Sequence, residues 1–229
     1  CRALFYAPEG YSLVGADLSG LELRCLAHMM AKFDGGSYTD VVLNGDIHSV
    51  NMKAAGLPDR SSSKVFIYGF LYGAGAAKIG SIVGGTEKEG RALINKFMKA
   101  TPALKELKAA VADRVKTKGH LLGLDGRKLP IRSPHSALNV LLQSAGALLA
   151  KQATVFLYEN LTIKGYKWGE DYAQVAHVHD EVQLIARKEI AEDVGREAVK
   201  SFQLAGEHFN FRCPITGEFK IGGTWADTH

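Results

Sequence analysis

Four side chains recur at every fourth position in one stretch of the chain: Arg60, Lys64, Tyr68 and Tyr72. Because four residues advance an α-helix by 400°, these side chains would stay on one helix face and drift by about 40° per step. Two cations near a helix N-terminus favour an anion there, and a triphosphate is one candidate. The two phenol rings offer flat surfaces to a base or a sugar. The stripe predicts a nucleotide-binding helix; the alternative is an ordinary half-exposed helix with its aromatic rings in a core.

Two aspartates occupy positions where rigid elements are predicted to end. Asp17 lies at the end of a short apolar strand, and Asp180 lies at the tip of a predicted hairpin and is followed by Glu181. Carboxylates that meet in one cleft can hold two Mg²⁺ ions about 3.5–4 Å apart, which activate a hydroxyl and neutralise a leaving phosphate. Mg²⁺ needs only one or two carboxylates besides substrate phosphates. The alternative is that each aspartate serves only its local turn.

The elements that would position these residues are predicted from capping and turn signals. Strands are predicted at 11–18 and on both sides of 179–180, and Asp125-Gly126 predicts a type I′ hairpin turn. Helices are predicted, with approximate ends, at 20–31, 47–55 (capped by Asp46), 61–72, 86–100, 102–118, 136–161 and 189–208. Hairpin-joined strands among many helices indicate an α+β fold rather than a doubly wound sheet.

Composition limits the classes to which the protein can belong. The 229 residues are 46% hydrophobic, enough for a core, and their formal net charge of +4 permits a polyanionic partner. Three cysteines without a close pair argue against a disulfide framework or a zinc site. No uninterrupted apolar run approaches the ~20 residues that span a bilayer, so no membrane partner is expected. The chain lacks an initiator Met, so we expect a piece of a longer polypeptide.

Three segments together resemble the polymerase motifs of family A DNA polymerases, the Pol I type. They are GADLSGLELRCLAH (15–28), RSSSKVFIYGFLYG (60–73) and HVHDEVQL (177–184), and they occur in the family's order with plausible spacing. NVLLQSAGALL (139–149) is similar to the family helix that lines the primer–template. The overall sequence is most similar to the bacteriophage replicative branch, and the resemblance covers nearly the whole chain.

The resemblance implies a particular fold and reaction. The palm, a small antiparallel sheet with helices, would comprise 1–57 and 133–229, and a helical fingers subdomain at 58–132 would be inserted in it. The reaction would be template-directed addition of dNTPs to a primer 3′-hydroxyl by two-metal-ion nucleotidyl transfer. Primer–template DNA and dNTPs would be the partners, in the cytoplasm of an infected bacterial host. Thumb and exonuclease regions would precede these motifs in the full-length protein, which could also recruit a host processivity factor.

The resemblance also implies the residues of the metal site. Asp17 and Asp180 would bind two Mg²⁺ ions, for which Mn²⁺ could substitute, and the backbone carbonyl of Leu18 would complete one site. Glu181 would act in catalysis as a secondary acidic residue near the metals.

Contacts with the incoming nucleotide are implied in the same way. Arg60 and Lys64 would hold the β- and γ-phosphates, and His48 would add a phosphate contact. Tyr68 would pack on the sugar and base. Glu22 would exclude a ribose 2′-hydroxyl and hydrogen-bond Tyr68.

Contacts with DNA complete the implied site. Tyr72 would stack at the template position, and His179 would lie by the primer terminus. Asn139 and Gln143 would touch the nascent base pair or the primer terminus in the minor groove.

Two alternative functions stay open at this point. A single-subunit RNA polymerase shares the two aspartates and the Lys–Tyr pair, but Glu22 and Glu181 favour deoxynucleotides. A catalytically inactive DNA-binding remnant is a different class, and the intact carboxylates and cationic–aromatic stripe argue against it. Whether this part of a polymerase is active alone is not indicated by its sequence.

Overall fold

The computed structural model describes all 229 residues, in which helices accompany a small antiparallel sheet. The strands are β1 (Tyr11–Leu18), β2 (His120–Leu122), β3 (Lys128–Pro130), β4 (Tyr172–Val178), β5 (Glu181–Arg187) and β6 (Gly217–Gly222). The helices are α1 (Leu21–Asp34), α2 (Ser37–Asn44), α3 (Ile47–Ala55), α4 (Arg60–Leu71), α5 (Ala76–Ser81), α6 (Glu87–Ala100), α7 (Pro102–Lys118), α8 (Ala137–Ile163), α9 (Ala191–His208) and α10 (Trp225–Thr228). Two compact units divide the chain: Cys1–Glu22 with Ala145–His229, and Leu23–Ser144.

The first unit is built on a four-stranded antiparallel sheet with the strand order β4-β5-β1-β6. β1 lies inside the sheet, and its residues 13–16 are buried, as its apolar sequence requires. Helix α9 packs on β1 and β6. It approaches β6 closely because residue 195 is Gly195: a Cβ there would lie 2.2 Å from the ring of Phe219. Packing of α9 therefore helps to hold β1 and β6 in place.

The second unit is helical apart from the β2–β3 hairpin. Its core includes Phe66 and Phe70 of α4, which meet the ring of Phe97 from α6 edge to face, with centroid distances of 5.2 and 5.5 Å. Such aromatic pairs contribute about 0.5–1.5 kcal/mol beyond the burial of their area. This packing fixes the rotation of α4 about its axis, and it leaves Lys64 and Tyr72 exposed.

Helix α8 is long and apolar enough to cross a membrane by length and composition alone, and 44% of its most apolar window is buried. This is the helix predicted at 136–161, although the sequence there contains no uninterrupted apolar run of membrane-spanning length. One such helix is weak evidence for a membrane span, because core helices of globular domains have the same length and composition. Leu142, Leu149 and Leu157 are buried at helical spacing along α8, a pattern that is typical of a core helix.

The α+β class and most of the predicted elements are confirmed, with ends that differ by a few residues. The side chain of Asp46 caps α3 as predicted, since it accepts from the backbone N–H groups of His48 and Ser49. Helices α2, α5 and α10 and strand β6 are not predicted. The assignment of 1–57 and 133–229 to a palm and of 58–132 to fingers stays a prediction.

The predicted type I′ turn between β2 and β3 is wrong. That turn needs positive φ at both central residues, but only Gly126 has one, at +79°. A wider loop forms instead, in which the N–H of Gly123 donates to the carbonyl of Arg127 at 2.9 Å. The Asp125 side chain accepts from the backbone N–H and the Nε of Arg127, which stabilises this loop.

Candidate functional site

Asp17 and Asp180 come together at one end of the sheet in the first unit. Asp17 is the penultimate residue of β1, and the N–H of the next residue, Leu18, donates to the backbone carbonyl of Asp180 at 3.1 Å. Asp180 lies in the two-residue turn between β4 and β5. The antiparallel pairing of β1 with β5 therefore brings the two aspartates together in space, although they lie far apart in the sequence.

The turn that carries Asp180 has an unusual backbone. His179 has a φ of +56°, and only one other non-glycine residue, Asn210, has a positive φ. Residues with a Cβ populate this region sparsely. Two-residue hairpin turns require a positive φ, and here it allows Val178 and Glu181 to pair directly on either side of the turn. The conformation therefore keeps Asp180 next to the paired strands.

The carboxylates of this cluster repel one another. Burial, and then the charges of Asp180, Glu181 and Glu218, raise the pKa of Asp17 to about 6. The pKa of Asp180 is also raised, first by burial and then by the charges of Glu22 and Glu181. Glu181 and Glu218 are the direct cross-strand neighbours of Asp17. A divalent cation would offset this repulsion and stabilise the ionised form of both aspartates. Mg²⁺ needs only one or two carboxylates besides substrate oxygens, so Asp17 and Asp180 together would suit an ion of that kind.

Glu181 differs from the two aspartates because side chains already bind its carboxylate. Trp225 Nε1 and Gln183 Nε2 donate to its Oε1 at 2.6 and 2.5 Å, and His229 Nδ1 lies 2.6 Å from its Oε2. Burial alone would raise the pKa of Glu181, but these hydrogen bonds outweigh it and hold the pKa below its usual value. Glu181 is therefore an oriented carboxylate beside Asp17.

The second unit gathers four of the predicted nucleotide-binding residues in one patch. This α3–α4 patch consists of His48 on α3 and of Arg60, Lys64 and Tyr68 on α4. Ser63 Oγ donates to the His48 carbonyl at 2.8 Å, and the rings of His48 and Tyr68 lie 6.4 Å apart. Burial, and then the charges of Arg60 and Lys64, lower the pKa of His48, whose Nδ1 is buried without a hydrogen-bond partner.

The sequence predicts that an anion binds near the start of α4. In the structure, a carboxylate of the protein itself, that of Asp46, already pairs with Arg60 there. The Nε of Arg60 lies 2.9 Å from Oδ2 and 3.2 Å from Oδ1 of Asp46. Asp59 caps α4, where it accepts from the N–H of Ser62 at 2.8 Å. A phosphate group would therefore compete with Asp46 for Arg60.

Four further predicted residues lie on α1, on α8 or directly after α4. Tyr72 follows the last turn of α4 and is 50% exposed. Asn139 and Gln143 are four residues apart on α8 and share a helix face. Glu22, in the first turn of α1, is near enough for its charge to act on Asp180. Roles for these residues in binding nucleotide or DNA stay predictions.

The side chains that bind Glu181 are absent from the sequence-based prediction. The sequence TWAD at 224–227 matches a capping box, and the structure forms it: Asp227 accepts from the N–H and Oγ1 of Thr224. That signal is sufficient to predict α10. It does not indicate that Trp225 reaches Glu181, because this contact depends on how the sheet joins distant segments.

Comparison with known proteins gives one consistent result. The sequence pattern of DNA polymerase family A matches residues 1–227. The DNA-directed DNA polymerases of Enterobacteria phage T3 and Escherichia phage T7 are each 46% identical over 254 residues, which cover 100% of this chain and 36% of each relative. The DNA polymerase I of Aquifex aeolicus (strain VF5) is 31% identical over 243 residues, covering 98% of this chain and 41% of the relative. The chain thus spans a little over a third of its phage relatives.

Proposed function

The chain belongs to DNA polymerase family A, and from this membership we propose that it performs nucleotidyl transfer within a DNA-directed DNA polymerase. The observation that supports this most strongly is the meeting of Asp17 and Asp180, which the bond from the Leu18 N–H to the Asp180 carbonyl holds together. In the reaction, a primer 3′-oxygen forms a bond to the α-phosphorus of a dNTP. The bond from that phosphorus to the oxygen bridging the β-phosphate breaks, and pyrophosphate leaves.

Asp17 and Asp180 would hold two Mg²⁺ ions, which Mn²⁺ could replace, with the Leu18 carbonyl as a further ligand. Hard cations prefer carboxylate and carbonyl oxygens, and they would relieve the repulsion that contributes to the raised pKa values of both aspartates. When bound, the ions lower the pKa of the attacking hydroxyl and stabilise the charge on the leaving pyrophosphate. Glu181 adds a fixed negative charge beside Asp17 and acts as a secondary acidic residue near the metals.

The α3–α4 patch would bind the triphosphate. Arg60 exchanges Asp46 for a phosphate oxygen, and Lys64 binds a second one, so that the β- and γ-phosphates are held. His48 adds a phosphate contact. Tyr68 packs on the incoming sugar and base through its ring face.

The remaining residues would select the sugar and position DNA. Glu22 excludes a ribose 2′-hydroxyl, so dNTPs are preferred to rNTPs. Tyr72 stacks at the template position, Asn139 and Gln143 contact the minor groove, and His179 lies by the primer terminus. A preference for rNTPs in single-nucleotide incorporation would instead indicate an RNA polymerase.

Partners of the whole protein are proposed from its phage relatives. Primer–template DNA and dNTPs are the substrates. The full-length protein would also carry thumb and exonuclease regions and could use a host processivity factor. It would act in the cytoplasm of an infected bacterial cell.

Primer extension by the full-length polymerase tests the proposal. Asp17→Ala and Asp180→Ala should each abolish extension, by a factor of roughly 10³ or more, while primer–template binding changes little. Asp113→Ala is the matched control, because Asp113 is an exposed carboxylate on α7, and it should extend primers like the wild type. Extension at the wild-type rate by either Asp17→Ala or Asp180→Ala would refute the proposed site.

A further inference from the structure

Glu181 is held on both oxygens by residues from outside its own turn. Trp225 and Gln183 donate to Oε1, and His229 meets Oε2, all within 2.6 Å. Because an ionised carboxylate only accepts hydrogen bonds, His229 carries its proton on Nδ1. Glu181 is 7% exposed. Its carboxylate therefore has a defined direction, unlike a surface acid that is free to rotate.

The segment that supplies two of these contacts has anchors of its own. The N–H of Trp225 donates to the carbonyl of Phe5 at 2.9 Å, and the two rings pack edge to face at 5.5 Å. Arg2 lies 5.5 Å from the centre of the Trp225 ring. Thr228 Oγ1 donates to Gln183 Oε1 at 2.9 Å, which orients the amide so that its NH₂ group faces Glu181. Trp225 and Gln183 are thus positioned by contacts of their own, apart from those with Glu181.

Without these contacts, Glu181 would be free to turn toward Asp17. The two residues are direct partners across β1 and β5, and side chains of such partners share one face of a sheet. Both line a cavity of about 240 Å³, together with His229. A mobile Glu181 carboxylate could therefore reach a cation bound by Asp17.

We propose that Trp225, Gln183 and His229 are positioning residues that keep Glu181 out of the metal coordination sphere, so that Asp17 and Asp180 alone supply the carboxylate ligands. This inference rests on the proposed function, since it presumes that the two aspartates bind divalent ions. A third carboxylate ligand would bind the ion more tightly, but it would occupy a position that the substrate phosphate or hydroxyl needs. Replacing residues that hydrogen-bond metal ligands typically weakens metal binding or activity by about 10- to 100-fold, and a smaller effect is expected here because Glu181 is not a ligand.

The test measures binding of Mn²⁺ to the full-length polymerase by electron paramagnetic resonance without DNA, and then kcat and KM for extension. The double variant Trp225→Phe/His229→Phe keeps two aromatic rings but removes both N–H donors. It should bind Mn²⁺ roughly threefold to tenfold more tightly, while kcat falls by roughly tenfold and the KM for dNTP changes little. Adding Glu181→Gln to this variant should abolish the gain in Mn²⁺ affinity, and Glu181→Gln alone should change Mn²⁺ affinity by less than about twofold.

Two outcomes would overturn the inference. Tenfold weaker Mn²⁺ binding by Glu181→Gln alone would identify Glu181 as a metal ligand, and unchanged Mn²⁺ binding by the double variant would remove the positioning role. If the double variant does not fold, as thermal unfolding reports, Trp225→Phe alone carries the test with a smaller gain of the same sign. Asp17→Asn separates this inference from the proposed function, because undiminished Mn²⁺ binding by that variant refutes the metal site itself.

Discussion

Arg60 already binds a carboxylate of its own chain, and this affects how the α3–α4 patch would bind a nucleotide. The hydrogen bond from Arg60, and then that from Ser49, hold the pKa of Asp46 well below its usual range. Asp46 also caps α3. A phosphate could bind Arg60 only by displacing Asp46. Nucleotide affinity would therefore reflect the difference in free energy between the Arg60–phosphate pair and the Arg60–Asp46 pair.

Asp46→Asn should strengthen dNTP binding by a few-fold. Asn keeps an oxygen that can cap α3, but it removes the negative charge that competes for Arg60. The affinity is measured from the dependence of single-turnover extension by the full-length polymerase on dNTP concentration. Asp59→Asn is the matched control, because Asp59 caps α4 through Ser62 without bonding Arg60. Weaker dNTP binding by Asp46→Asn would mean that Asp46 orients Arg60 for the phosphate rather than competing for it.

At the level of elements, short sequence signals correctly predict those features that depend only on interactions between neighbouring residues. The cap at Asp46, the helix start at Pro102 and the hairpin around Asp180 each depend on a few neighbouring residues, and all three are confirmed. The short α2 and α5 lack the length that makes a periodic pattern recognisable, whereas α10 is indicated by its capping box. Strand β6 has glycine at both ends and is half exposed, so its pairing with β1 is determined by tertiary contacts.

The candidate site likewise combines features that depend on one element with contacts that depend on tertiary packing. The separate carboxylates and the cationic stripe can be predicted from the sequence, because each depends on one element. The pair between Arg60 and Asp46 joins two helices, and the contact between Trp225 and Glu181 joins segments 44 residues apart. Such contacts depend on packing between elements, which residue spacing alone does not determine.

Gly195→Ala should destabilise the first unit, because α9 could no longer approach β6 as closely. The new Cβ would meet the Phe219 ring at 2.2 Å, and overpacking of this kind costs about 1–3 kcal/mol, partly offset by the better helix propensity of Ala. Urea unfolding measures the loss. Gln203→Ala on the exposed side of α9 is the control, and Phe219→Leu should partly restore stability to Gly195→Ala. Unchanged stability of Gly195→Ala would show that the ring moves aside without cost.

At the scale of the whole molecule, the second unit is inserted between two stretches of the first. The chain passes from one unit to the other within α1, at 22/23, and within α8, at 144/145. A helix that unfolds on one side of either boundary also loses backbone hydrogen bonds across it, so the two units should unfold together.

Phe97→Leu tests this cooperativity. Phe97 is fully buried in the second unit, and the substitution should destabilise the protein by about 1–3 kcal/mol. The two tryptophans, Trp168 and Trp225, both lie in the first unit. Their fluorescence transition should nevertheless move to lower temperature as far as the circular dichroism transition does, whereas the exposed Lys99→Ala should move neither. Separate transitions in Phe97→Leu would show that the units unfold independently.

The register of β1 with β5 also limits how this chain can change its length during evolution. Side chains alternate between the two faces of a strand, so one residue inserted within β1 or β5 would turn Asp17 or Glu181 to the opposite face. The segment that connects β1 to β4 includes the whole second unit, and its length does not affect the register of β1 with β5. Insertions and deletions can therefore accumulate in its loops without moving either aspartate, whereas the strands themselves must keep their lengths.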